Sequence, residues 1–339
     1  MTTLVSLLVV TWNGRRHLER CLPALAAQTL REREIVLVDN GSTDGSGELA
    51  AGLLPDATLV CSPANVGFVG GNLLGLPRCR GRYVALLNND CVPYPTWLER
   101  AVEAAERAGE GMAATTLCLS DDPERIDSAG IALDRAAIAW DRGGGLLATT
   151  PDHDLPPLFG PSGGAALYRR DLLDDVGFFE PDFEMYYEDV DLAWRARLRG
   201  WGCVHTRAAR GLHVGSATGG RNNPRKRFLL GRNKLWTVAR CYPGQGLRRY
   251  MAAVVLYDAA ALVAYAALAP PGAVPAVARA AALRGRVAGL RGLPRQLWKR
   301  RGIQARRTDP GGGLDALAPL EAPWRLPARF AHLPEGAAL

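Results

Sequence analysis

Short apolar runs alternate with helical patterns between residues 5 and 119. Apolar residues recur every three or four positions in the helical stretches and are continuous in the strand-like ones. This order predicts parallel βαβ units, and therefore an α/β fold with a doubly wound, mostly parallel sheet flanked by helices. The predicted strands cover residues 5–10, 35–38, 58–61, 83–87 and 112–119, and the predicted helices include 46–53, 70–76 and 97–108.

Two of the predicted strands end in a carboxylate. Asp39 follows the apolar run Ile35–Val38, and Asp90 closes the sequence LLNND. Asn and Asp are common turn residues, so each carboxylate is explained by a turn alone. In a doubly wound sheet, however, ligands bind beyond the carboxyl ends of the strands. Asp39 and Asp90 are therefore candidates for a binding site at that edge.

A second acidic cluster opens a predicted helix that ends at Leu198. Glu188, Asp189 and Asp191 lie in its first turn, where the helix dipole favours carboxylates. Helix capping alone accounts for such a cluster. His213 follows in the sequence GLHVG, and carboxylates with histidine are also the residue types of a divalent-metal site or an acid–base pair. The residues alone fit both interpretations.

The loop DNGSTDGS, residues 39–46, lies between a predicted strand and a predicted helix. It matches neither the G-x-G-x-x-G pattern of dinucleotide-binding proteins nor the G-x-x-x-x-G-K-[ST] pattern of P-loop proteins. The loop therefore argues against nicotinamide chemistry and against a P-loop nucleotidase. A carboxylate at the strand tip can instead accept hydrogen bonds from a nucleotide base or ribose.

The charge of the 339-residue chain is divided unevenly. Residues 221–307 carry 19 Lys and Arg and one acid, Asp258, a net +18, which leaves −11 on the rest of a chain whose total is +7. Such a split predicts an anionic partner, and the lack of a recognisable nucleic-acid-binding module favours an anionic membrane surface over nucleic acid. Within this block, Met251–Ala269 fits a buried, an interfacial or a transmembrane helix.

Cysteine usage and the N-terminus predict a cytosolic location. The seven cysteines are scattered without a C-x-x-C pair, which favours reduced thiols over a disulfide framework or a zinc site. The sequence begins at Met1-Thr2-Thr3 and enters a strand-like run with no basic leader. Combined with the basic block, these features predict a protein held peripherally at the inner face of the cell membrane.

Several motifs occur in an order that resembles one enzyme family. They are VVTWN, VDNGSTDGS, NVGFVGGNLLG, LLNND, SGGAALYRR, GFFEPDFEMYYEDVDLAWRARLRGWG and RNKLW. Residues 4–240 thereby resemble the family-2 glycosyltransferases of the GT-A fold, and specifically the bacterial rhamnosyltransferase-like branch. The resemblance implies a Rossmann-like catalytic domain over residues 1–240. We expect a basic and apolar helical extension over 241–307 and a poorly ordered tail over 308–339.

The resemblance also implies an inverting enzyme that uses a nucleotide-sugar donor together with Mg²⁺ or Mn²⁺. LLNND occupies the place of the D-x-D motif, so Asp90 would bind the metal and His213 would be its second protein ligand. Asn88 stands at the first acidic position, a variant seen in this branch. The residues assigned by resemblance to the donor are Thr11, Asn13, Asp39, Asn65, Gly67, Asn88 and Asn89.

On the acceptor side, Asp189 matches the general base of inverting members, with Glu188 and Asp191 as rival carboxylates. The predicted acceptor-binding residues are Glu188, Asp191, Trp194 and Arg195. The aromatic residues Phe183, Tyr186 and Tyr187 fit either a sugar-binding platform or core packing. The expected reaction moves rhamnose from dTDP-rhamnose to a glycan or lipid-linked acceptor during synthesis of a cell-envelope polysaccharide.

Three alternatives compete with this function. Another donor, such as a UDP-sugar, fits the same motifs. A protein that binds sugar nucleotide without turnover is disfavoured because Asp90, Asp189 and His213 are all present. A nucleotidyltransferase would need a basic Gly-rich loop after the first strand, which TWNGRRH matches poorly.

Overall fold

The computed structural model describes residues 3–214, 223–263 and 275–321. Strands and helices alternate up to Leu119, as the apolar pattern predicts, except that the short strand Cys91–Pro93 directly follows Tyr83–Asn88. The strands are β1 (Val5–Thr11), β2 (Arg33–Asp39), β3 (Thr58–Cys61), β4 (Tyr83–Asn88), β5 (Cys91–Pro93), β6 (Met112–Leu119), β7 (Ile126–Ser128), β8 (Ile131–Leu133), β9 (Ala139–Asp141), β10 (Ala165–Arg169) and β11 (Cys203–His213). The helices are α1 (Arg15–Ala26), α2 (Ser46–Leu53), α3 (Gly67–Gly75), α4 (Trp97–Ala108), α5 (Arg170–Val176), α6 (Glu188–Leu198), α7 (Pro224–Cys241), α8 (Gly244–Val263) and α9 (Ala276–Ala305).

A nine-stranded sheet forms the centre of the molecule, in the order β3-β2-β1-β4-β10-β6-β11-β5, with β7 paired to β6. The first four of these strands are parallel, whereas β10 runs antiparallel between β4 and β6. The register of β1 places Thr11 beside Asp39 of β2 and Val10 beside Asn88 of β4. The carboxyl ends of β1, β2 and β4 therefore meet at one edge of the sheet.

Alternate residues of the central strands enter two separate apolar layers. Leu8 of β1 belongs to a layer that includes Val38, whereas Leu7 belongs to a second layer that includes Leu18 and Leu22 of α1. This alternation is the period of two that a strand covered on both faces requires. All seven cysteines are free and five of them are buried, which suits apolar packing.

Helix α9 packs along α7 through three glycines, Gly285, Gly289 and Gly292, which we call the glycine seam. A Cβ on Gly285 would lie 2.1 Å from the carbonyl oxygen of Phe228, and one on Gly292 would lie 2.6 Å from Nε1 of Trp236. Trp236 Nε1 in turn donates to the carbonyl of Gly289 at 3.0 Å. A side chain at these positions would displace the Phe228 backbone or the side chains of Leu235 and Trp236, so the two helices pack at close range.

Helix α8 covers the first part of the apolar run Met251–Ala269, and residues 264–274 lie outside the described residues. Asp258, the acid within that run, accepts a hydrogen bond from Arg286 at 2.7 Å and lies 3.5 Å from Lys234 Nζ. Its charge is therefore neutralised by α9 and α7. Among the described residues, no helix has both the length and the apolar character of a membrane span.

Residues 309–321 belong to the segment for which composition predicts a poorly ordered tail. In the structure the carbonyl of Gly312 accepts a hydrogen bond from Trp194 Nε1 at 3.2 Å. Ala318 N donates to the carbonyl of Leu133 at 2.8 Å, and Leu317 is buried. This stretch packs on the main body of the protein, while residues 322–339 lie outside the described residues.

Candidate active site

The loops after β1 and β2 are tied together at the predicted donor site. Asn13 donates from its backbone to Ser42 Oγ at 3.0 Å and accepts at Oδ1 from Thr43 N at 2.8 Å. Asp39 Oδ1 accepts from Ser42 N at 2.9 Å. Within the described part of the chain, Asp39 Oδ2 takes no hydrogen bond, so one carboxylate oxygen stays free for a ligand.

Asn40, a residue that the sequence suggested only as part of a turn, holds the next loop. Its Nδ2 donates to Asn65 Oδ1 at 3.1 Å and to the Gly67 carbonyl at 3.0 Å, and its Oδ1 accepts from Val66 N at 3.0 Å. The side chain is buried. Asn40 thereby fixes Asn65 and Gly67 beside the ends of β1 and β2.

The tip of β4 is held between two loops. Asn89 Nδ2 donates to Thr11 Oγ1 at 2.8 Å, and a Cβ on Gly14 would lie only 2.1 Å from that same nitrogen. Glycine at position 14 is therefore required for the contact. On the other side, Asn88 N donates to the carbonyl of Gly164 at 2.9 Å, immediately before β10.

Asp90, His213 and Asp127 form a largely enclosed chain of charged groups, each with a side chain no more than 15% exposed. His213 stands at the end of β11, which pairs with β5 so that His213 lies opposite Cys91, the neighbour of Asp90. His213 Nε2 lies 3.3 Å from Asp90 Oδ1, and His213 Nδ1 lies 2.6 Å from Asp127 Oδ2. Asp90 Oδ1 is buried without a hydrogen-bond partner in the described residues, which makes it an open ligand atom.

The charges of this cluster stabilise one another. Burial alone would raise the pKa of Asp90, but its charge interaction with the adjacent His213 outweighs burial and holds the pKa below its usual value. Burial would likewise lower the pKa of His213, yet Asp127 and Asp90 raise it to about 10. Burial raises the pKa of Cys91 well above normal and its thiol donates to Gly164, so it stays protonated. The ligand-type atoms are therefore those of Asp90 and His213.

The first turn of α6 faces the loop before β10. Asp189 Oδ2 accepts a hydrogen bond from Gly163 N at 2.9 Å, and burial raises the pKa of Asp189. Glu188 lies alongside, and its Oε2 is buried with no partner in the described residues. Burial and the neighbouring Asp189 charge raise the pKa of Glu188 further. Asp189 is thus the carboxylate that the backbone orients. The same loop reaches the tip of β4, because the carbonyl of Gly164 accepts a hydrogen bond from Asn88 N.

Residues 6–177 match the model of the family described as "Glycosyl transferase family 2". This chain belongs to that family. The glycosyltransferase is 30% identical over 244 residues to an N-acetylglucosaminyl-diphospho-decaprenol L-rhamnosyltransferase of Mycobacterium tuberculosis, an alignment that covers 66% of this chain and 80% of that protein. The predicted resemblance to the rhamnosyltransferase-like branch is confirmed.

Solved structures of similar fold are GT-A glycosyltransferases. A mannosyltransferase from Pyrobaculum calidifontis, in complex with GDP-Man and Mn²⁺, aligns with a TM-score of 0.52 at 18% identity over 89% of this chain and 86% of that chain. Residues 1–349 of TarS from S. aureus align with a TM-score of 0.54 at 14% identity over 88% and 91% of the two chains. The predicted GT-A fold class is therefore confirmed, and at these identities the likeness concerns the fold alone.

Three of the predicted acceptor-binding residues of this glycosyltransferase, Asp191, Trp194 and Arg195, require correction, because they are buried and bonded to groups in its interior. Glu188 is buried as well, but its Oε2 has no hydrogen-bond partner in the described residues. Asp191 is fully buried and forms ion pairs with Arg195 at 2.7 Å and with Arg240 at 3.0 Å, and these charges keep its pKa low despite burial. Trp194 is also fully buried and packs against Phe159. The prediction assigns the acidic turn and its neighbours to one exposed surface, whereas most residues of α6 are covered by other parts of the protein.

Of the three aromatic residues before α6, two are buried in the core and one is partly exposed. Phe183 is fully buried, and Tyr187 is buried with its hydroxyl donating to the carbonyl of Ala137 at 3.0 Å. These two are core residues. Tyr186 is partly exposed beneath Lys226, whose ammonium lies 5.6 Å from the ring centroid. Of the three, Tyr186 alone presents surface toward solvent, so it is the remaining candidate for a platform.

Helix α7 of the glycosyltransferase clamps the strained segment that leads into α6. Glu184, Tyr186 and Tyr187 all have positive φ angles, which cost non-glycine residues free energy. Asn233 Nδ2 donates to the carbonyls of Phe183, Met185 and Tyr186 at 3.0, 2.9 and 2.7 Å. In the sequence, the motif RNKLW serves only as a marker of the family. Nothing in it indicates which backbone groups Asn233 would contact, so this role of Asn233 could not be predicted.

Asn233→Ala is expected to lower kcat about tenfold, because the segment that positions Asp189 would lose its fixed geometry. The lost hydrogen bonds should also cost about 2–4 kcal/mol of unfolding free energy. Steady-state kinetics and denaturant unfolding measure the two effects. Asn223→Ala, the N-cap change on the same helix, serves as control and should cost only about 1 kcal/mol with kcat unchanged. Equal kcat values in Asn233→Ala and Asn223→Ala would contradict the role of Asn233 in fixing the segment before α6.

Proposed function

We propose that this glycosyltransferase moves rhamnose from dTDP-rhamnose to a lipid-linked glycan acceptor, with inversion at the transferred carbon, in cell-envelope polysaccharide synthesis. The observation that carries the proposal is the convergence of Asp90, His213 and Asp189 beside the ends of the parallel strands. The rhamnosyltransferase named above supports the choice of sugar and of a diphospho-lipid acceptor.

The donor nucleotide would lie across the ends of β1, β2 and β4. The free oxygen of Asp39 can accept from the base or ribose, and Asn65 with Gly67 would close over the nucleoside from the loop that Asn40 holds. Asn88 replaces an acid at the first position of the D-x-D site, which leaves an amide for the ribose or sugar. The other donor-binding candidates are Thr11, Asn13 and Asn89.

Asp90 and His213 are the residues that would hold Mg²⁺ or Mn²⁺. The site fits a divalent cation because the buried Asp90 Oδ1 has no hydrogen-bond partner in the described residues and His213 Nε2 is aimed at it. When bound, such a cation stabilises the charge that develops on the leaving diphosphate. Mn²⁺ in the Pyrobaculum mannosyltransferase structure supports the assignment.

Asp189 would act as the general base. The Gly163 N–H holds its Oδ2, and the carboxylate can remove the proton from the acceptor hydroxyl opposite the leaving group. Because burial raises the pKa of Asp189, the rate should rise with pH through this raised value, where the carboxylate ionises. Glu188 would then border the acceptor from the same turn.

An anionic lipid surface is the partner that we assign to α9. Leu283, Leu290 and Trp298 are 53%, 57% and 69% exposed along one side of this helix. In the described part of the chain, the adjacent Arg284 and Arg291 form no ion pair, whereas Arg286 is bound to Asp258. An exposed apolar stripe beside unpaired arginines is the pattern of a helix that lies in a membrane interface. This surface would hold the enzyme at the inner membrane face, where a lipid-linked acceptor is found.

Arg291→Glu is expected to weaken binding to anionic vesicles about tenfold or more, because one attraction of about 1 kcal/mol becomes a repulsion. Co-sedimentation with phosphatidylcholine vesicles with and without phosphatidylglycerol measures the partition. Arg20→Glu is the matched control, since Arg20 is exposed on α1, which packs on the other apolar layer. Equal weakening by the two substitutions would show that only total charge matters and would contradict the docking face.

The decisive assay offers the purified enzyme dTDP-rhamnose, UDP-sugars and GDP-mannose with Mg²⁺ and a short-chain N-acetylglucosaminyl diphospho-lipid. We expect rhamnosyl transfer, with a product of inverted configuration by NMR. Transfer from a UDP-sugar alone would replace the donor assignment. Donor binding with neither transfer nor hydrolysis would indicate a protein that binds sugar nucleotide without turnover.

A further inference from the structure

Asp127 lies on a distortion of the sheet beside the site. Strand β7 pairs with β6 through Ser128 opposite Leu117 and Ile126 opposite Cys118, so one step along β6 corresponds to two along β7. Asp127 is the extra residue of this β-bulge. Bulges turn a side chain out of the regular alternation, and they are common next to active sites.

The bulge brings Asp127 to the far side of His213. On the opposite edge of β6, Leu119 pairs with His213 of β11, so Asp127 and His213 approach from the two strands that flank the end of β6. Asp127 Oδ2 lies 2.6 Å from His213 Nδ1, and Asp127 is 7% exposed. This short contact, with the His213 side chain only 15% exposed, leaves the imidazole ring little freedom to rotate.

The contact determines which ring nitrogen can serve as a ligand. A carboxylate can only accept at this distance, so Nδ1 of His213 must carry a hydrogen, and Nε2 is the nitrogen that would give up its proton to a bound cation. The other nitrogen, Nε2, then points to Asp90 Oδ1 at 3.3 Å. A histidine that binds a metal usually donates its second N–H to a carboxylate or carbonyl, which fixes both its orientation and its tautomer.

We propose that Asp127 is a positioning residue, which holds His213 so that Nε2 and Asp90 Oδ1 together receive the divalent cation. The inference rests on the metal site of the proposed function. It adds Asp127, a residue that lies in none of the family motifs. Asp127 acts through His213 and touches neither donor nor acceptor in this assignment.

A second Asp–His pair in the chain provides a matched control. His205 Nδ1 lies 2.8 Å from Asp152 Oδ1, and its other ring nitrogen lies 2.9 Å from Thr116 Oγ1. This pair has the same chemistry but faces a hydroxyl in place of a carboxylate ligand. Asp152→Asn removes this Asp–His interaction, together with ion pairs from Asp152 to Arg142 and Arg207, and leaves the contacts of His213 with Asp127 and Asp90 in place.

The test measures Mn²⁺ binding to the full-length enzyme in the presence of dTDP, by the EPR signal of free Mn²⁺. Asp127→Asn is expected to weaken Mn²⁺ binding about 10- to 100-fold and to reduce the histidine-nitrogen signal in pulsed EPR of the bound ion. Asp127→Glu restores a carboxylate and should recover part of the affinity. Asp152→Asn should bind as the wild type does.

The outcomes distinguish failure of the positioning role of Asp127 from failure of the metal site on which that role rests. Wild-type affinity and an unchanged nitrogen signal in Asp127→Asn would overturn the positioning role while leaving the metal site in place. Equal losses in Asp127→Asn and Asp152→Asn would also overturn it, since a general structural effect would then explain both. Failure of the wild-type enzyme to bind Mn²⁺ would overturn the metal site and this role together. Melting curves of the variants verify that each is folded.

Discussion

Asp189→Asn is expected to lower kcat by about 10²- to 10⁴-fold, the usual contribution of a general base. Asparagine has the same size and its oxygen can still accept from Gly163 N, so the turn should keep its shape. The affinity for dTDP-rhamnose should change by less than about twofold, because the base acts on the acceptor hydroxyl and its loss removes stabilisation of the transition state. Single-turnover rates and donor titration by calorimetry measure the two quantities.

Glu188→Gln is the control for this prediction, because it makes the same change at the adjacent position. If Asp189 is the base, Glu188→Gln should retain most of the rate. A larger rate loss in Glu188→Gln would make Glu188 the base. A large loss of donor affinity with unaltered kcat in Asp189→Asn would move Asp189 into the donor site.

Asp90→Ala is expected to lower metal-dependent transfer by about 10²- to 10³-fold, because the several kcal/mol that a bound cation supplies to the leaving group would be lost. The fold should be retained with a loss of only about 1–2 kcal/mol, since Asp127 still pairs with His213. Initial rates across a Mn²⁺ titration and thermal unfolding provide the measurements. Asp154→Ala, which removes an exposed carboxylate, should leave both unchanged. Near-normal turnover of Asp90→Ala with Mg²⁺ would refute the metal assignment.

The sheet edge that carries Asp39 and Asp90 could be predicted from the sequence. The apolar runs at Ile35–Val38 and Tyr83–Leu87 lie inside the observed β2 and β4, because a strand covered on both faces has a continuous apolar sequence. Their polar ends then fall at the same edge of a parallel sheet. The direction of β10 could not be predicted in this way. A strand that is buried on both faces has a continuous apolar sequence whether it runs parallel or antiparallel to its neighbours.

Asp127 could not be found by pattern because strands β7, β8 and β9 each have only three residues. Such segments are too short to show a hydrophobic period. The role of Asp191 was missed for another reason. Three carboxylates in one helical turn look alike in sequence, and only the fold shows that Arg195 and Arg240 neutralise the third one in the interior.

The glycine seam limits how the chain can be shortened. A protein truncated after residue 240 would keep every motif of the family, yet it would expose the face of α7 that Gly285, Gly289 and Gly292 normally cover. Phe228 and Trp236 border that face, and Asn233 of the same helix holds the strained segment that leads into α6. A minimal enzyme for expression, crystallisation or inhibitor screening should therefore extend through α9.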